Sequence, residues 1–508
     1  MLNQLLEKWK TVKEKVALIY GQEHYDYAEL CRLSSIIANN MYQHGVRKKS
    51  RIAFFMDNKP ELIWLYFATF SLGAVAVPIN YRYKADELAY VLQDCQINIL
   101  ITEESKEQYV EKIHGCGQLN CKVFSISSHV NNIFLNFISL LNEKTPSHPQ
   151  QKIAPDDLSV ILYTSGSTSN PKGVMHSHRS VLAAATHLTQ TIMLSSNCIN
   201  GITLPICHIA GMIGQVISTI LIGGQMILFP KFDAKSLVHA IEQYKITHLQ
   251  LTPANLVELV EYADDHKNSH LTSLLQVIVG GDKVPETLQE KFFTLSHCYV
   301  TEVLGMTESF SYCINLSHDK TKLGSAGIPT KGVKIDLLDN QNNIIKTNNQ
   351  TGEIRVHSNA NMLGYWGNPH ETIKTLRDGY VYTGDLAYRD QDGFFWFAGR
   401  KKQLIIRGGS NISPQEVESV LIQHPLIREV CVIGFPDKKL NQIVCACVVL
   451  KDKKLSLTLE NIRSFCIDHI SDYKIPEKLI ILNELPHNTT GKLDRNQISK
   501  MTLAKQHN

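Results

Sequence analysis

The 508-residue sequence lacks features that several protein classes require. Its 12 cysteines include no Cys-x-x-Cys pair, which disfavours a zinc site or a redox pair. A chain of this length needs no disulfide bonds, so we expect reduced thiols and a cytoplasmic protein. Lys and Arg exceed Asp and Glu by 51 − 48 = 3, too small an excess for binding nucleic acid by charge alone.

Two long segments without Asp, Glu, Lys or Arg, Leu62–Ile79 and Cys198–Pro230, resemble membrane spans at first sight. Glycine and proline interrupt both segments, and β-branched residues are frequent in them. We therefore expect helix and strand pieces buried in an α/β core, with no transmembrane segment. Residues Met1–Lys15 contain no uninterrupted apolar stretch, so we expect no secretory signal.

Strand-like and helical segments alternate through the first four hundred residues, which predicts an α/β fold with parallel-rich sheets and crossover helices. The predicted strands are Arg51–Met56, Ile97–Thr102, Leu158–Tyr163, Gln225–Phe229, Thr247–Leu251 and Gln276–Val279, and the predicted helices are Glu61–Leu72, Lys84–Gln93 and Ala234–Gln243. Lys334–Leu338 and Gly352–His357 flank an Asn- and Gln-rich segment, which predicts a hairpin in a β-rich subdomain. After Arg400 the pattern predicts a small α+β domain.

The strongest local signal is the segment 163–173, Tyr-Thr-Ser-Gly-Ser-Thr-Ser-Asn-Pro-Lys-Gly, which follows a predicted strand. Such a loop can direct backbone N–H groups, hydroxyls and one ammonium at a polyphosphate. It is not a Walker A loop, because Pro171 stands where that motif requires Gly-Lys, so P-loop GTPase or ATPase chemistry is disfavoured. Taken alone, it is equally compatible with a surface loop rich in Ser and Gly.

Four further motifs follow the loop along the chain. They are Gly305-Met-Thr-Glu308, Tyr382-Thr-Gly-Asp385, Gly399-Arg400 with its continuation to Gly408-Gly409, and Thr490-Gly-Lys492-Leu-Asp-Arg495. With the loop, they resemble the signatures of the ATP-dependent adenylate-forming ligases, which include acyl-CoA synthetases, adenylation domains and beetle luciferase. Five such motifs in one order are very hard to obtain by chance, and the resemblance covers nearly the whole chain.

The resemblance implies a site for ATP, Mg²⁺, coenzyme A and a carboxylic acid. The residues implied to bind nucleotide or coenzyme are Thr164, Ser165, Gly166, Ser167, Thr168, Lys172, Gly281, Asp282, Leu304, Gly305, Thr307, Asp385, Arg400, Gly408 and Gly409. The implied catalytic residues are Lys492, Glu308, Thr307 and Lys172, with Glu308 as the magnesium ligand. The residues implied to line the substrate pocket are His208, Gly281 and Gly305.

These roles agree with elementary chemistry. Forming an acyl-adenylate brings a carboxylate to an α-phosphate, so the site must offset the repulsion between two anions. Glu308 offers Mg²⁺ a hard oxygen ligand, Asp385 can accept hydrogen bonds from ribose hydroxyls, and Lys492 can bridge the two reactants. Each residue alone also has an ordinary structural explanation as a cap, a turn residue or a surface charge, and only their joint order favours the functional one.

The resemblance also implies two half-reactions separated by rotation of the C-terminal domain. We predict an N-terminal domain at residues 1–400, a mobile lid at residues 401–508 and a hinge near Lys402. Lys492 then serves adenylation, and Gly408-Gly409 faces the site afterwards, where glycines allow a pantetheine arm to approach the backbone.

The predicted acyl pocket includes the segment 204–211 around His208. No acidic residue stands beside His208 to hold a substrate amine, and the charge-free segments offer no arginine for a second carboxylate. This favours a fatty or aryl acid over an amino acid or a diacid. Three residues depart from the family pattern: Ser169 replaces a glycine, Leu304 replaces an aromatic residue, and Glu302 stands where Asn or Gln is frequent.

We therefore predict a carboxylic acid:CoA ligase that releases AMP and pyrophosphate. Three alternatives stay open. The acyl group could pass to the phosphopantetheine of a carrier protein, the protein could be a luciferase-like monooxygenase, or it could bind nucleotide or acyl groups without catalysis.

Overall fold

A computed structural model of the chain describes residues 1–9, 15–127, 131–164, 171–266, 271–282, 284–408, 410–437, 439–452, 454–467, 469–487 and 493–504. The chain divides into two compact units. Unit 1 comprises Met1–Ile335 and Val356–Tyr382, and unit 2 comprises Asp336–Arg355 and Thr383–Asn508. The predicted α/β class, with a large N-terminal and a small C-terminal domain, is confirmed. The domain boundary at residue 400 and the hinge near Lys402 stay predictions.

Helices and strands alternate along most of unit 1. The α-helices of both units are given first. They are α1 Leu5–Trp9, α2 Tyr27–Gln43, α3 Pro60–Ser71, α4 Ala85–Asp94, α5 Glu107–Gly115, α6 His178–Thr191, α7 Ser218–Ile222, α8 Ala234–Tyr244, α9 Pro253–Asp265, α10 Glu286–Ser296, α11 Pro369–Thr375, α12 Pro414–Leu421, α13 Leu459–Cys466 and α14 Arg495–Ala504. A π-helix, Ala210–Ile217, precedes α7.

The strands, in chain order, are β1 Val16–Tyr20, β2 Glu23–Asp26, β3 Arg51–Phe55, β4 Val75–Pro78, β5 Ile99–Thr102, β6 Lys122–Ser125, β7 Phe134–Asn136, β8 Leu158–Thr164, β9 Lys172–Ser177, β10 Ile199–Ile202, β11 Gln225–Leu228, β12 His248–Leu251, β13 Gln276–Gly280, β14 Val300–Met306, β15 Phe310–Ile314, β16 Ile328–Pro329, β17 Val333–Leu338, β18 Gly352–Ser358, β19 Gly364–Tyr365, β20 Leu376–Arg377, β21 Tyr380–Arg389, β22 Phe395–Arg400, β23 Ile405–Arg407, β24 Ser410–Ile412, β25 Ile427–Asp437, β26 Asn441–Leu450 and β27 Lys478–Ile481. The strands and helices predicted from alternation in the first four hundred residues are present, with ends that differ by a few residues.

Sheet 1 of unit 1 has the strand order β16-β15-β14-β13-β12-β10-β11-β1-β2. The strands from β1 to β14 in this order are parallel, with Leu249 opposite Val277 and Val277 opposite Val300. Strands β11 and β12 lie on opposite sides of β10. The chain therefore runs from β10 to its neighbour on one side, β11, and then returns past β10 to β12 on the other side. Ligands of parallel sheets bind at the carboxyl ends of strands at such a switch in direction.

Sheet 2 of unit 1 has the order β19-β9-β8-β4-β3-β5-β6-β7. Strands β8, β4, β3, β5, β6 and β7 are parallel, whereas β9 pairs with β8 in the antiparallel sense. Strands β4 and β5 flank β3 on its two sides, which creates a second switch in direction at the carboxyl end of β3. Each sheet therefore carries one crevice suited to a ligand.

Helices cover both sheets of unit 1 and lie between them. Residues of α2, α3 and α6 pack into one core with side chains of both sheets, α8, α9 and α10 cover the other face of sheet 1, and α4 and α5 cover the other face of sheet 2. In β13, Ile278 points into the central core, whereas Val277 and Val279 contact the outer helices. Such strands are apolar on both faces because both faces are covered.

The two charge-free segments are buried in this core, as the sequence predicts. Leu62–Ile79 forms most of α3 followed by β4, and Cys198–Pro230 forms β10, the π-helix, α7 and β11. Among the described residues, no helix is both long enough and apolar enough to cross a bilayer.

Unit 2 contains a sheet with the order β24-β23-β26-β25, with β27 paired to β26. Helices α12 and α13 pack on one face, and Ile498 of α14 packs on the other. A further sheet has the order β17-β18-β21-β20 with β22 paired to β21, and the chain passes between the units inside β17, β18 and β21.

Candidate active site

The predicted phosphate-binding loop connects the two strands of a hairpin in sheet 2. Thr164 is the last residue of β8, Lys172 is the first residue of β9, and the two residues face each other across the antiparallel pair. The predicted site residues Ser165, Gly166, Ser167 and Thr168 lie outside the described residues. The hairpin therefore holds both described ends of the loop at one edge of the sheet.

Lys172 forms an ion pair that joins the hairpin to α11. Its Nζ donates to Oε2 of Glu371 at 2.6 Å, and the two side chains are 15% and 23% exposed. Lys172 and then Lys374 lower the pKa of Glu371 to about 2. The ammonium also lies 5.5 Å from the centre of the Tyr365 ring, a distance at which a cation and an aromatic face attract.

Glu308 lies in the turn between β14 and β15, close to the same aromatic ring. The Tyr365 hydroxyl donates to Oε1 of Glu308 at 2.6 Å, and the backbone N–H of Met362 donates to the Glu308 carbonyl oxygen at 2.8 Å. Burial, and after it the Glu308 carboxylate, raise the pKa of Tyr365. Because Tyr365 contacts both Lys172 and Glu308, the structure brings these two predicted catalytic residues into one cluster.

Thr307 is positioned from the hairpin by a buried histidine. Nε2 of His176, in β9, lies 2.8 Å from the Thr307 carbonyl oxygen. Burial lowers the pKa of His176 to about 4, so the ring is neutral at pH 7. Since a carbonyl only accepts, Nε2 carries the proton and donates it.

Two predicted glycines occupy places that a side chain would disturb. A Cβ on Gly305 would lie 2.4 Å from the Phe310 carbonyl oxygen, at an irregularity in the β14–β15 pair. Gly281 has a φ of 104° at the carboxyl end of β13, a conformation that favours glycine. Gly280 of β13 pairs with Val303 of β14. Gly281 and Leu304 each come directly after one of these two paired residues, so they follow the same rung of the sheet.

Glu302 has a structural role that its sequence position does not reveal. Its carboxylate is buried and accepts from the backbone N–H groups of Val284 and Gly324 and from Gln289, each at 3.2 Å. These bonds hold the segment that follows the exposed Asp282. Glu302 therefore fixes the backbone at Val284, close in sequence to the predicted site residue Asp282.

His208 lies at the switch in direction of sheet 1, just after β10. It is half-buried, and its carbonyl oxygen accepts from Met212 at 2.8 Å at the start of the π-helix. Asn58 fixes this segment, since its amide donates to the Leu204 carbonyl oxygen and accepts from the N–H of Ile206. π-helices are rare in proteins, but those that occur often lie at functional sites.

Other predicted residues belong to unit 2. Asp385 is fully buried and faces Arg400 across the β21–β22 pair, with Nε of Arg400 at 2.9 Å from Oδ1 of Asp385. The N–H of Gly408 donates to the Leu440 carbonyl oxygen at 2.8 Å. Gly409 and Lys492 lie outside the described residues.

Sequence reasoning missed three residues of the cluster: His176, Tyr365 and Glu371. Tyr365 and Glu371 lie between two recognised motifs and about 200 positions from Lys172, so no local pattern joins them to it. Only the structure places this segment against β9, where the backbone N–H of Trp366 donates to the Gly173 carbonyl oxygen at 2.7 Å.

A two-sheet unit with a hydroxyl-rich hairpin and a small α+β unit with its own motifs define the adenylate-forming class of enzymes. The chain belongs to the AMP-binding enzyme family: residues 5–366 match the model of the AMP-binding enzyme, and residues 416–492 match that of the AMP-binding enzyme C-terminal domain.

Similar proteins agree with this assignment over nearly the whole chain. A 2-succinylbenzoate–CoA ligase of a Geobacillus species is 31% identical over 98% of this chain and 97% of its own. An indoleacetate–CoA ligase of Aromatoleum aromaticum is 29% identical over 97% of this chain and 96% of its own.

Solved structures give the same result. The o-succinylbenzoate CoA synthetase of Bacillus subtilis, bound to its acyl-adenylate intermediate, superposes with a TM-score of 0.86 at 28% identity over 98% of this chain and 97% of its own. The same synthetase has also been solved with ATP and a magnesium ion. The predicted family and the predicted acid–thiol ligase class are confirmed.

Proposed function

We propose that this protein joins a fatty or aryl carboxylic acid to coenzyme A at the expense of ATP. In the first step, a carboxylate oxygen attacks the α-phosphorus, the bond to the bridging oxygen of the β-phosphate breaks, and pyrophosphate leaves. In the second step, the sulfur of coenzyme A loses its proton and attacks the acyl carbon, and AMP leaves. The cluster of Lys172, Tyr365 and Glu308 beside the loop 164–172 is the observation that carries this proposal.

Lys172 is proposed to bind the phosphate groups that leave. In the structure its ammonium is half of a partly buried ion pair with Glu371. An incoming polyphosphate carries more negative charge than one carboxylate, so it can compete for the same ammonium. Thr164, the last residue of β8, and Thr307, whose carbonyl oxygen lies beside His176 of β9, are proposed to offer hydroxyl groups to the phosphates, and the exposed Gly281 and Gly305 are proposed to leave room for the nucleotide.

Glu308 is proposed to hold Mg²⁺ together with the phosphates. In the described part of the chain, no group of three or more His, Cys, Asp or Glu side chains could hold a metal ion. One carboxylate fits magnesium, which usually keeps several waters and takes only one or two carboxylates besides substrate phosphates. When bound, the ion neutralises phosphate charge. The hydrogen bond from Tyr365 orients the Glu308 carboxylate for this role.

Asp385, Arg400, Gly408, Gly409 and Lys492 keep the roles that the family implies. Asp385 and Arg400 would contact ribose and phosphate oxygens. Because the two side chains form an ion pair with each other, a bound nucleotide would have to interact with groups that are already paired. Lys492 would bridge the carboxylate and the α-phosphate during adenylation, and the two glycines would face coenzyme A after rotation about Lys402.

The acid is proposed to enter the crevice at the carboxyl end of β10, beside His208. The segment from β10 to the π-helix is mostly apolar: Ile202, Ile206 and Met212 are buried in the core, whereas Ile209, beside His208, is partly exposed. Apolar surroundings of this kind suit an aliphatic or aromatic tail. We also infer a cytoplasmic location, because the sequence has no Cys-x-x-Cys pair and a chain of this length needs no disulfide bonds.

ATP–pyrophosphate exchange with a panel of short, medium, long and aromatic acids tests the first half-reaction. Lys492→Ala should abolish acid-dependent exchange while ATP still binds, and Lys500→Ala, an exposed charge on α14, should exchange like the wild type. Unchanged exchange in Lys492→Ala would contradict the proposed role.

Adding coenzyme A separates the alternatives. An adenylate that persists without thioester formation would favour a carrier-protein acceptor, and oxygen consumption would favour a monooxygenase. Absence of exchange with every acid, together with ATP binding, would favour a binding protein without catalysis.

A further inference from the structure

The lysine at the end of the proposed phosphate loop already holds an anion from its own chain. Lys172 begins β9 and lies opposite Thr164, the last residue of β8. Its ammonium donates to Oε2 of Glu371 at 2.6 Å. A carboxylate oxygen and a phosphate oxygen are equivalent partners for an ammonium, since both are anionic acceptors. Glu371 therefore occupies a position on Lys172 that the proposed function gives to a phosphate group.

The site without a ligand needs this carboxylate because Lys172 is largely buried. Only 15% of the Lys172 side chain and 23% of the Glu371 side chain are exposed. An ammonium that is withdrawn from water without an anion nearby is destabilised. The Tyr365 ring, 5.5 Å from the ammonium, attracts the cation but carries no charge. Glu371 thus supplies a negative charge in direct contact with Lys172 while no phosphate is bound.

Glu371 keeps other partners when Lys172 turns to a ligand. Its second oxygen, Oε1, accepts from Nζ of Lys374 at 3.1 Å, and the Lys374 side chain is 58% exposed. The backbone N–H of Glu371 donates to the Asn368 side chain at the start of α11. Because one ammonium and water remain at the carboxylate, a ligand can take Lys172 without leaving a buried unpaired charge. The ion pair therefore allows one anion to replace another on Lys172.

A carboxylate that is fixed in the chain competes with every phosphate that binds Lys172. Its local concentration at the ammonium does not fall when the ligand is scarce, because the competitor is part of the same molecule. ATP has an adenosine group that offers further contacts, whereas pyrophosphate has phosphate groups only. The same loss of affinity thus leaves ATP bound through its nucleoside and makes pyrophosphate a weakly held product.

We propose that Glu371 is a positioning residue that competes with phosphate for Lys172, so that it lowers the affinity for ATP and promotes the release of pyrophosphate. As ATP binds, a phosphate of its leaving group replaces the Glu371 carboxylate on the ammonium. When pyrophosphate leaves, the carboxylate returns to Lys172. This inference rests on the proposed function for the identity of the ligand, and it adds a residue that lies outside the five motifs.

The test uses Glu371→Gln, in which an amide oxygen still accepts from Lys172 but the negative charge is absent. Asp378→Asn is the matched control, because it removes one negative charge from an exposed position whose φ of 50° suits asparagine. Binding of ATP, pyrophosphate and AMP to the full chain is measured by calorimetry with Mg²⁺ present. The inhibition constant of pyrophosphate is measured in thioester formation, and ATP–pyrophosphate exchange reports the first half-reaction separately.

We expect Glu371→Gln to bind ATP and pyrophosphate about fivefold more tightly, a factor typical of one partly exposed ion pair. The inhibition constant of pyrophosphate should fall by the same factor. Affinity for AMP should stay unchanged, because AMP lacks the phosphates that contact Lys172, and Asp378→Asn should match the wild type. In a Lys172→Met background, Glu371→Gln should leave ATP affinity unchanged. A purely structural role would instead weaken the binding of all three ligands.

Affinity for ATP and pyrophosphate that is unchanged or lower in Glu371→Gln would overturn the inference. Equal tightening of AMP would overturn it as well, and so would tighter ATP binding on adding Glu371→Gln to Lys172→Met, since the effect would then not pass through Lys172. Equal tightening in Asp378→Asn would replace it with a general effect of charge. If no acid supports exchange in the wild type, the proposed function fails, and the calorimetry of ATP and pyrophosphate still decides the role of Glu371.

Discussion

Replacing Glu371 with glutamine should loosen the attachment of α11 to the hairpin that carries Lys172. Lys172 and Lys374 lower the pKa of Glu371 from 4.5 to about 2. At about 1.36 kcal/mol per pKa unit, this fall sets an upper limit of about 3 kcal/mol for the stabilisation by both partners. Lys374 is largely exposed and solvent screens its share, so we expect about 1–2 kcal/mol from the Lys172 pair.

Hydrogen exchange measured by mass spectrometry can detect this loss locally. The backbone N–H groups of Leu363 and Trp366 donate to the carbonyl oxygens of Met175 and Gly173, so their exchange reports opening between this segment and β9. A loss of 1–2 kcal/mol corresponds to exchange roughly 5- to 30-fold faster in Glu371→Gln.

The pH dependence gives the sign of the effect. Because the pKa of Glu371 is lower in the folded protein than in the unfolded chain, the stabilisation is complete above pH 4.5 and is lost as the pH falls towards 2. The difference between wild type and Glu371→Gln should therefore be constant above about pH 5 and shrink below pH 4.5.

Two variants complete the experiment. Lys374→Gln removes the exposed partner of the same carboxylate and should change exchange less than twofold. In a Lys172→Met background, Glu371→Gln should have little further effect, because the pair is already broken. Equal acceleration by Glu371→Gln with and without Lys172 would refute the reasoning.

Three further predictions concern stability. Arg495→Met should destabilise unit 2 by about 3 kcal/mol in thermal unfolding. The reason is that the largely buried carboxylate of Glu418 loses the guanidinium that donates two hydrogen bonds to it. The control Arg428→Ala, at an exposed arginine, should cost under about 1 kcal/mol. Gly305→Ala should lower the free energy of unfolding by about 2 kcal/mol or more, since its Cβ would lie 2.4 Å from a backbone oxygen. Gly115→Ala, at an open position in a helix, should not lower it. Equal melting temperatures for the two variants would contradict this prediction. Burial lowers three histidine pKa values to about 4, so stability should fall as the pH drops from 6.5 to 5, by up to about 2 kcal/mol for each residue, and a constant unfolding midpoint over this range would exclude the effect. These histidines are His176, His178 and His248.

Much of the fold follows from the sequence because its cause is local. Apolar segments of strand length alternate with helical segments, so parallel sheets covered by helices follow without knowledge of any contact. The burial of Leu62–Ile79 follows as well, since glycine and proline divide it into a helix and a strand too short to cross a membrane.

The order of motifs also identifies the family, because each motif is a continuous segment. The contacts that position the motifs could not be predicted in this way. Glu371 meets Lys172, Tyr365 meets Glu308 and His176 meets Thr307 only because sheet 2 and the β14–β15 turn come together in unit 1.

The sequence alone determined the alternation of elements, the order of the five motifs and therefore the class of chemistry. Only the tertiary structure decided which charges share one cluster and why Glu302 is a buried acceptor. The physical reason is distance along the chain. Periodicity and turn chemistry act over a few residues, whereas ion pairs and cavities depend on where distant strand ends meet.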